Sequence, residues 1–244
     1  MTVPQSSKRP GANLITRSTA MMEFMSRVSR TPQTVIPVCV GRNKFELQGF
    51  LLHLMQLRGI FGEYLVMDAT PPQALPLFPF DESYIKAYVY LNGRQIPTNV
   101  QRDVMNHRLD RKLIIAVMSL KTPEPPNNWE PGFAQMCAPQ IDWPRWSERA
   151  PDHLPLIQKA RRQLGIDLNR EMPELDQTAT NLLLESKEFT GSDDMFDAME
   201  RAFRVHRRTR AWTALTASHF KTGKDSILCP RSVRTPAATQ TIGE

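Results

Sequence analysis

The chain has 244 residues, 41% of them hydrophobic, which is enough for one large or two small domains with a real core. No apolar run approaches the roughly 18–20 residues of a membrane span, and the polar start Met1–Pro10 leads into no apolar signal core. The net charge of +6 sits at the ends: residues 1–30 carry +4, residues 221–244 carry +2, and the stretch between sums to zero. Basic tails on a neutral body suit nonspecific phosphate contact, or simply solubility. Cys39, Cys137 and Cys229 show no CxxC or knuckle spacing, so they indicate neither a zinc site nor a disulfide framework. A reducing compartment, cytosol or nucleus, is the expected setting.

Residues 1–30 read as a basic arm whose end, Thr19 to Ser29, is helical, with Met21, Met25 and Val28 on one face. Val35–Val40 is β-like, and Pro37 demotes it to an edge or an extended arm. Residues 44–58 form the clearest amphipathic helix: Leu47, Phe50, Leu51, Leu54 and Leu57 share a face, Gly59 stops it, and Ile60 packs back. Phe61, Tyr64, Leu65 and Val66 extend the apolar surface, and a Pro-rich loop runs from Thr70 to Pro79. Asp81 caps an expected helix through Leu91, which Asn92-Gly93 ends. Thr98–Gln101 reads as a capping box, with a helix reaching Leu120 behind it; Met105, Leu109, Leu113, Ala116, Val117 and Leu120 form its stripe. Residues 31–121 are thus expected to be an N-terminal helical lobe.

Residues 122–155 hold eight prolines, so no helix of normal length fits there. The connector is placed at 122–150. It carries Trp129, Trp143 and Trp146, which either pin it onto a neighbouring domain or form a subunit interface, where tryptophan is favoured. Residues 151–220 are the C-terminal helical lobe: Asp152 caps one helix to Leu164, Pro173 starts another, and Ser192 starts a third. Residues 221–244 are a basic tail.

The third helix carries the densest cationic run, Arg201 to Arg210, ending near Trp212. Asp193, Asp194, Asp197 and Glu200 precede the arginines, the order that the helix dipole favours. Asp197–Arg201 and Glu200–Arg204 are i,i+4 pairs worth about 0.2–0.5 kcal/mol each. Arg207, Arg208 and Arg210 have no local acid and suit phosphate; Trp212 either stacks on a base or packs inward with Leu215 and Phe220. No GxSxG, GxGxxG, HExxH or P-loop pattern occurs, and His53, His107, His153, His206 and His219 have no metal spacing.

Asn43-Lys44-Phe45 with Leu54, Gly59-Ile60 and Tyr64-Leu65-Val66 resembles the first helical unit of copia-type retrotransposon Gag proteins. Asp176, Ala179, Leu182–Ser186, Ala211-Trp212-Thr213-Ala214-Leu215 and Phe220 resemble its later part. The first-helix tryptophan of that family and its Cys-Cys-His-Cys knuckle are missing here, and about 110 residues separate the two matching halves. The resemblance implies a two-unit helical capsid protein that self-associates and packages RNA.

The expected fold is therefore mainly α: two helical lobes joined by a Pro/Trp-rich segment, with extended basic tails. The expected function is that of a capsid or nucleocapsid protein, cytoplasmic or nuclear and within a virion or virus-like particle. It would not be an enzyme, and would need no cofactor, metal or membrane. Lys8, Arg9, Arg207, Arg208, Arg210, Lys221 and Lys224 would contact RNA, Trp212 would stack, and Trp129, Trp143 and Trp146 would meet another subunit. The alternatives are an adaptor docking a protein partner through the Trp segment, and a small helical enzyme with an unfamiliar site.

Overall fold

The computed structural model describes residues 14–32, 34–41, 44–70, 84–106, 112–119, 121, 125–137, 139–169, 171–208 and 214–220. The chain divides into two compact units, Met1–Pro155 and Leu156–Glu244.

Among the described residues five strands build the first unit: β1 (Val38–Val40), β2 (Glu63–Asp68), β3 (Ile85–Leu91), β4 (Leu113–Met118) and β5 (Ile141–Asp142). They form one parallel sheet in the order β2-β3-β4-β1-β5. β1 is interior, with Val38 opposite Ala116 of β4 on one side and Cys39 opposite Ile141 of β5 on the other. Parallel strands need crossovers and bury both faces, so they read as continuous apolar runs. Leu-Ile-Ile-Ala-Val-Met of β4 is such a run, buried at five of its six positions.

Helices α1 (Thr19–Ser29) and α2 (Lys44–Leu57) belong to one face. There Met21, Phe24, Phe50 and Leu54 share a core with Cys39, Val89 and Ile115. Helices α3 (Thr98–Asn106) and α4 (Pro131–Met136) belong to the other, where Val100, Val104 and Phe133 pack with Val38, Tyr88, Tyr90 and Ala116. The period-2 alternation of each strand feeds the two cores in turn.

This architecture overturns the mainly α reading. The segment expected to be a helix from Asp81 is β3 from Ile85 onward. The helix expected from Thr98 to Leu120 is α3, and then β4 from Leu113. Gln101 is not the partner in a capping box. Its buried amide donates to the carbonyls of Ile96 (2.7 Å) and Asn128 (3.0 Å), and its Oε1 accepts Glu130 N–H (2.6 Å).

The second unit is helical, with the remainder of α5 (Ala150–Asp167), then α6 (Gln177–Glu185), α7 (Ser192–Arg208) and a 3-10 turn, Ala217–Phe220. Asp176 caps α6 by accepting Ala179 N–H at 2.7 Å. A parallel bridge joins Leu175 to Leu215. Among the described residues no helix is long and apolar enough to cross a membrane.

Candidate functional site

The expected RNA contacts Lys8, Arg9, Arg210, Lys221 and Lys224, and the expected stacking residue Trp212, lie outside the described residues. Arg208 closes α7, but its side chain is not described; Arg207 is exposed on that helix. Glu200 and Arg204 form the expected i,i+4 pair at 2.5 Å. The tryptophans lie inside the first unit: Trp129 is 8% exposed, Trp143 6% and Trp146 1%. Trp143 meets Phe24 and Phe50 with ring centroids 4.7 and 5.0 Å apart. Trp129 packs edge-on to Phe133 and donates Nε1–H to the carbonyl of Gly93 at 3.1 Å. Trp146 stacks on His153 at 3.9 Å. Almost no indole surface is left for another subunit.

In open α/β sheets, ligands enter at the carboxyl ends of the strands, beside the strand where the connection changes direction. Here that strand is β1, flanked by β4 and β5. The chain leaves it at Gly41, whose N–H is held by the carbonyl of Met118 at 2.8 Å, and enters α2 at Lys44. The first N–H groups of a 14-residue helix have no partners within the helix and carry a partial positive charge. Exposed Lys44 adds a full one. Only two residues separate Gly41 from Lys44, where the phosphate-cradling pattern GxxxxGK[ST] has five before its lysine. A connection of that length carries fewer backbone N–H groups than the phosphate-cradling pattern does.

A polar cluster stands at the ends of β2 and β3. Oδ1 of Asp68 accepts three hydrogen bonds, from Thr70 N–H (3.0 Å), Thr70 Oγ1 (2.7 Å) and Asn92 Nδ2 (2.7 Å). Asn92 also donates to Thr70 Oγ1 at 2.6 Å. Asn92 has a left-handed backbone (φ 54°), which its short amide tolerates, and its carbonyl accepts Gln95 N–H at 2.8 Å. Burial pushes the Asp68 carboxyl up, but the hydrogen bonds from Thr70 and Asn92 and the charge of Lys44 outweigh it, so its pKa lies below the usual value. Asp142, at the end of β5, is paired with Lys121 at 2.8 Å, both well exposed. Among the described residues no group of three or more His, Cys, Asp or Glu is placed to hold a metal.

Behind the start of α2 lies a buried ionic network. Arg149 forks onto Glu46, NH1 to Oε2 at 2.7 Å and NH2 to Oε1 at 2.9 Å, and reaches Asp152 through Nε at 2.9 Å. Asp152 in turn accepts Arg17 N–H (2.7 Å), Ser18 N–H (2.9 Å) and Ser18 Oγ–H (2.7 Å) at the head of α1. Three helix starts are thus tied together from within. No local sequence motif marks this network or the Asp68 cluster. The one local signal was Asn92-Gly93, which reads as a turn but does not announce what the amide holds.

No protein-family model matches the sequence, and no curated protein matches it. Solved structures do share the fold. NtrX from Brucella abortus in complex with ADP superposes with a TM-score of 0.60 at 12% identity, over 92% of this chain and 57% of that one. The same protein in complex with ATP gives 0.60 at 13% identity, over 94% and 58%. The Thermotoga maritima RuvB Holliday junction branch migration motor gives 0.51 at 9%, over 88% and 71%. The chain spans a little over half the length of the NtrX structures. This likeness, together with the parallel sheet, overturns the resemblance to retrotransposon Gag. With it go the capsid and virion reading and the expectation of a protein that is no enzyme: the fold is the one shared with these NtrX and RuvB structures.

Proposed function

We propose that this chain is a nucleotide-binding module of the ATPase type, taking a nucleoside phosphate where β1 hands over to α2. The observation that carries the reading is the placement of Gly41 and Lys44, where β1 leads into α2, at the mouth of a parallel sheet in a fold shared with NtrX, which is solved in complex with ADP and with ATP. The N-terminus of α2 and the Lys44 ammonium supply positive charge to the phosphates. The buried Glu46–Arg149–Asp152 network fixes the first turn of α2, so the site is pre-organised.

The short turn sets the magnitude. Two or three charge-assisted hydrogen bonds of a full phosphate loop are missing, each worth about 1.5–3 kcal/mol. Since about 1.4 kcal/mol is a factor of ten, binding is expected to be at least about 100-fold weaker than a full phosphate loop would give. β3 ends in Leu91-Asn92-Gly93 without an acid, so turnover is expected to be slow.

Magnesium accompanies nucleotides in such folds, held through one or two carboxylates together with substrate phosphates. Asp68 fits that requirement: it stays ionised, and among the described residues no hydrogen bond reaches its Oδ2. A bound cation would neutralise phosphate charge there.

The test is titration of the purified chain with a fluorescent ATP analogue, chased with ATP and ADP, alongside a phosphate-release assay. Lys44→Ala should weaken binding about tenfold, the cost of one lost charge-assisted bond. No nucleotide-dependent signal at millimolar ATP overturns the reading.

A further inference from the structure

We infer that the second unit carries a peptide-docking groove, and that its occupant is a partner segment with a carboxylate beside an apolar side chain. The inference stands apart from the nucleotide reading, because the residues that line the groove all belong to Leu156–Glu244.

One face of α5 forms the floor. Gln158, Arg161, Arg162, Gly165 and Ile166 recur at helical spacing and share one stripe. Beyond the helix, Asn169 takes a left-handed backbone (φ 47°), and Glu171 and Met172 make the facing wall. The Arg161 guanidinium ties that wall to the helix, donating to the Met172 carbonyl through Nε (3.4 Å) and NH2 (3.2 Å). The space between holds about 930 Å3, the size of a ligand cleft.

Two side chains of the floor are left over from folding. Ile166 is 62% exposed, the most exposed large apolar side chain among the described residues of this unit. Arg162 is exposed and, among the described residues, makes no hydrogen bond or ion pair. A helix pairs an arginine with an acid three or four positions away, as α7 does with Glu200 and Arg204. Around Arg162 those positions hold Gln158, Lys159, Gly165 and Ile166, and none is an acid. Asp167 is engaged elsewhere, by the Gln163 amide at 2.7 Å. Gly165 weakens the helix but lets another backbone come close between Arg162 and Ile166.

Charge complementarity names the occupant. The open Arg162 fork fits a carboxylate, and Ile166, one turn on, fits an apolar side chain. From Gln158 to Ile166 the helix rises roughly 12 Å, which about four extended residues span. A nucleic-acid strand fits worse, since exposed Glu171 on the facing wall would meet an unbroken row of phosphates. A peptide can turn its carboxylate to Arg162 and keep uncharged groups toward Glu171.

The experiment selects a phage library of random dodecapeptides on the purified full chain. Sequences with Asp or Glu a few positions from Leu, Ile, Val, Met or Phe should be enriched. A labelled peptide of the enriched sequence should bind in fluorescence anisotropy. Arg162→Glu should weaken it at least about tenfold, the scale of one lost charge-assisted bond. Selection on the Arg162→Glu chain should in turn enrich Lys or Arg at the acidic position. Ile166→Ser should weaken the same peptide, and carries the test if circular dichroism shows that Arg162→Glu loses helix. Three results overturn the inference: no enrichment on wild type, enriched peptides that bind both variants as tightly as wild type, or labelled single-stranded DNA whose binding depends on Arg162. Concentration-dependent dimerisation abolished by Ile166→Ser also overturns it, giving the groove to a second copy. None of these results touches the nucleotide reading, which the ATP analogue tests.

Discussion

Arg149→Met should be among the most damaging single substitutions in the first unit. The Arg149 side chain is 1% exposed, and those of its partners Glu46 and Asp152 are 0%. Burial alone disfavours the guanidinium charge, but hydrogen bonds and opposite charges from Glu46 and Asp152 more than offset it and hold the arginine protonated. The losses differ at the two acids. Asp152 gives up the bond from Nε but keeps Arg17 N–H, Ser18 N–H and Ser18 Oγ–H. Glu46 loses both arms of the fork, at 2.7 and 2.9 Å, and is left as a buried anion. Removing one partner of a buried pair costs about 3–5 kcal/mol. For a unit of this size that corresponds to a fall in melting midpoint of roughly 6–20 °C. Urea unfolding followed by far-UV circular dichroism gives the difference, and tryptophan fluorescence reports on the adjacent Trp146. Arg149→Met with Glu46→Leu should recover most of the loss, since replacing a whole buried pair by apolar groups is often neutral or better. A single variant within about 1 kcal/mol of wild type, or a double variant no better than the single, refutes the reasoning.

Two further outcomes follow from the first unit. At Gly62, φ is +149° and an added Cβ would lie 2.4 Å from Lys86 Cγ and 2.8 Å from the backbone oxygen of Tyr84. The lysine can move but the carbonyl belongs to the start of the sheet, so Gly62→Ala should cost about 1–3 kcal/mol in the same urea assay; a neutral result would show that this turn yields freely. Burial pushes the Cys39 and Cys137 thiols from 9.0 up to about 12. Both should resist alkylation at pH 8 and react once urea unfolds the chain, with the sites located by mass spectrometry. Because the unfolded thiols ionise near 9 and the folded ones near 12, stability is intact below pH 9 and should decline as pH rises from there. Rapid native labelling of Cys39 would refute its burial.

The helices with local punctuation were legible. α1 spans the expected Thr19–Ser29, capped by Ser18, α2 stops before Gly59 at φ +64°, and α7 begins at Ser192. The strands were not, for a physical reason. A strand covered on both faces is apolar at nearly every position, so it satisfies a helical stripe as readily as an alternating one. Leu113, Ala116 and Val117 fitted a 3.6-residue period, as did Ile85, Tyr88 and Val89, yet β4 and β3 are buried at adjacent positions as well. Pro37 misled in another way. It lies one residue before β1, and its carbonyl accepts Ala116 N–H at 3.0 Å. A proline just ahead of an interior strand removes no ladder donor from it, so it is no sign of an edge.

The site was hidden because its parts come from strand ends and helix starts far apart in the chain. Arg149 and Glu46 are 103 residues apart, and Asp68 and Asn92 are 24 apart. No local pattern relates them; only the crossovers of a parallel sheet do. Composition showed correctly that three large indoles must be covered, but it could not show that the covering surface is the unit's own sheet and helices rather than another subunit. The arginine run was conspicuous because its residues adjoin in sequence. Sequence proximity favours capping and i,i+4 pairing, which is what Glu200 and Arg204 do. Chemistry at the mouth of an α/β sheet is assembled from residues whose only shared property is the edge they reach, and Asp68, held by Asn92 within the field of Lys44, has that property without any motif to mark it.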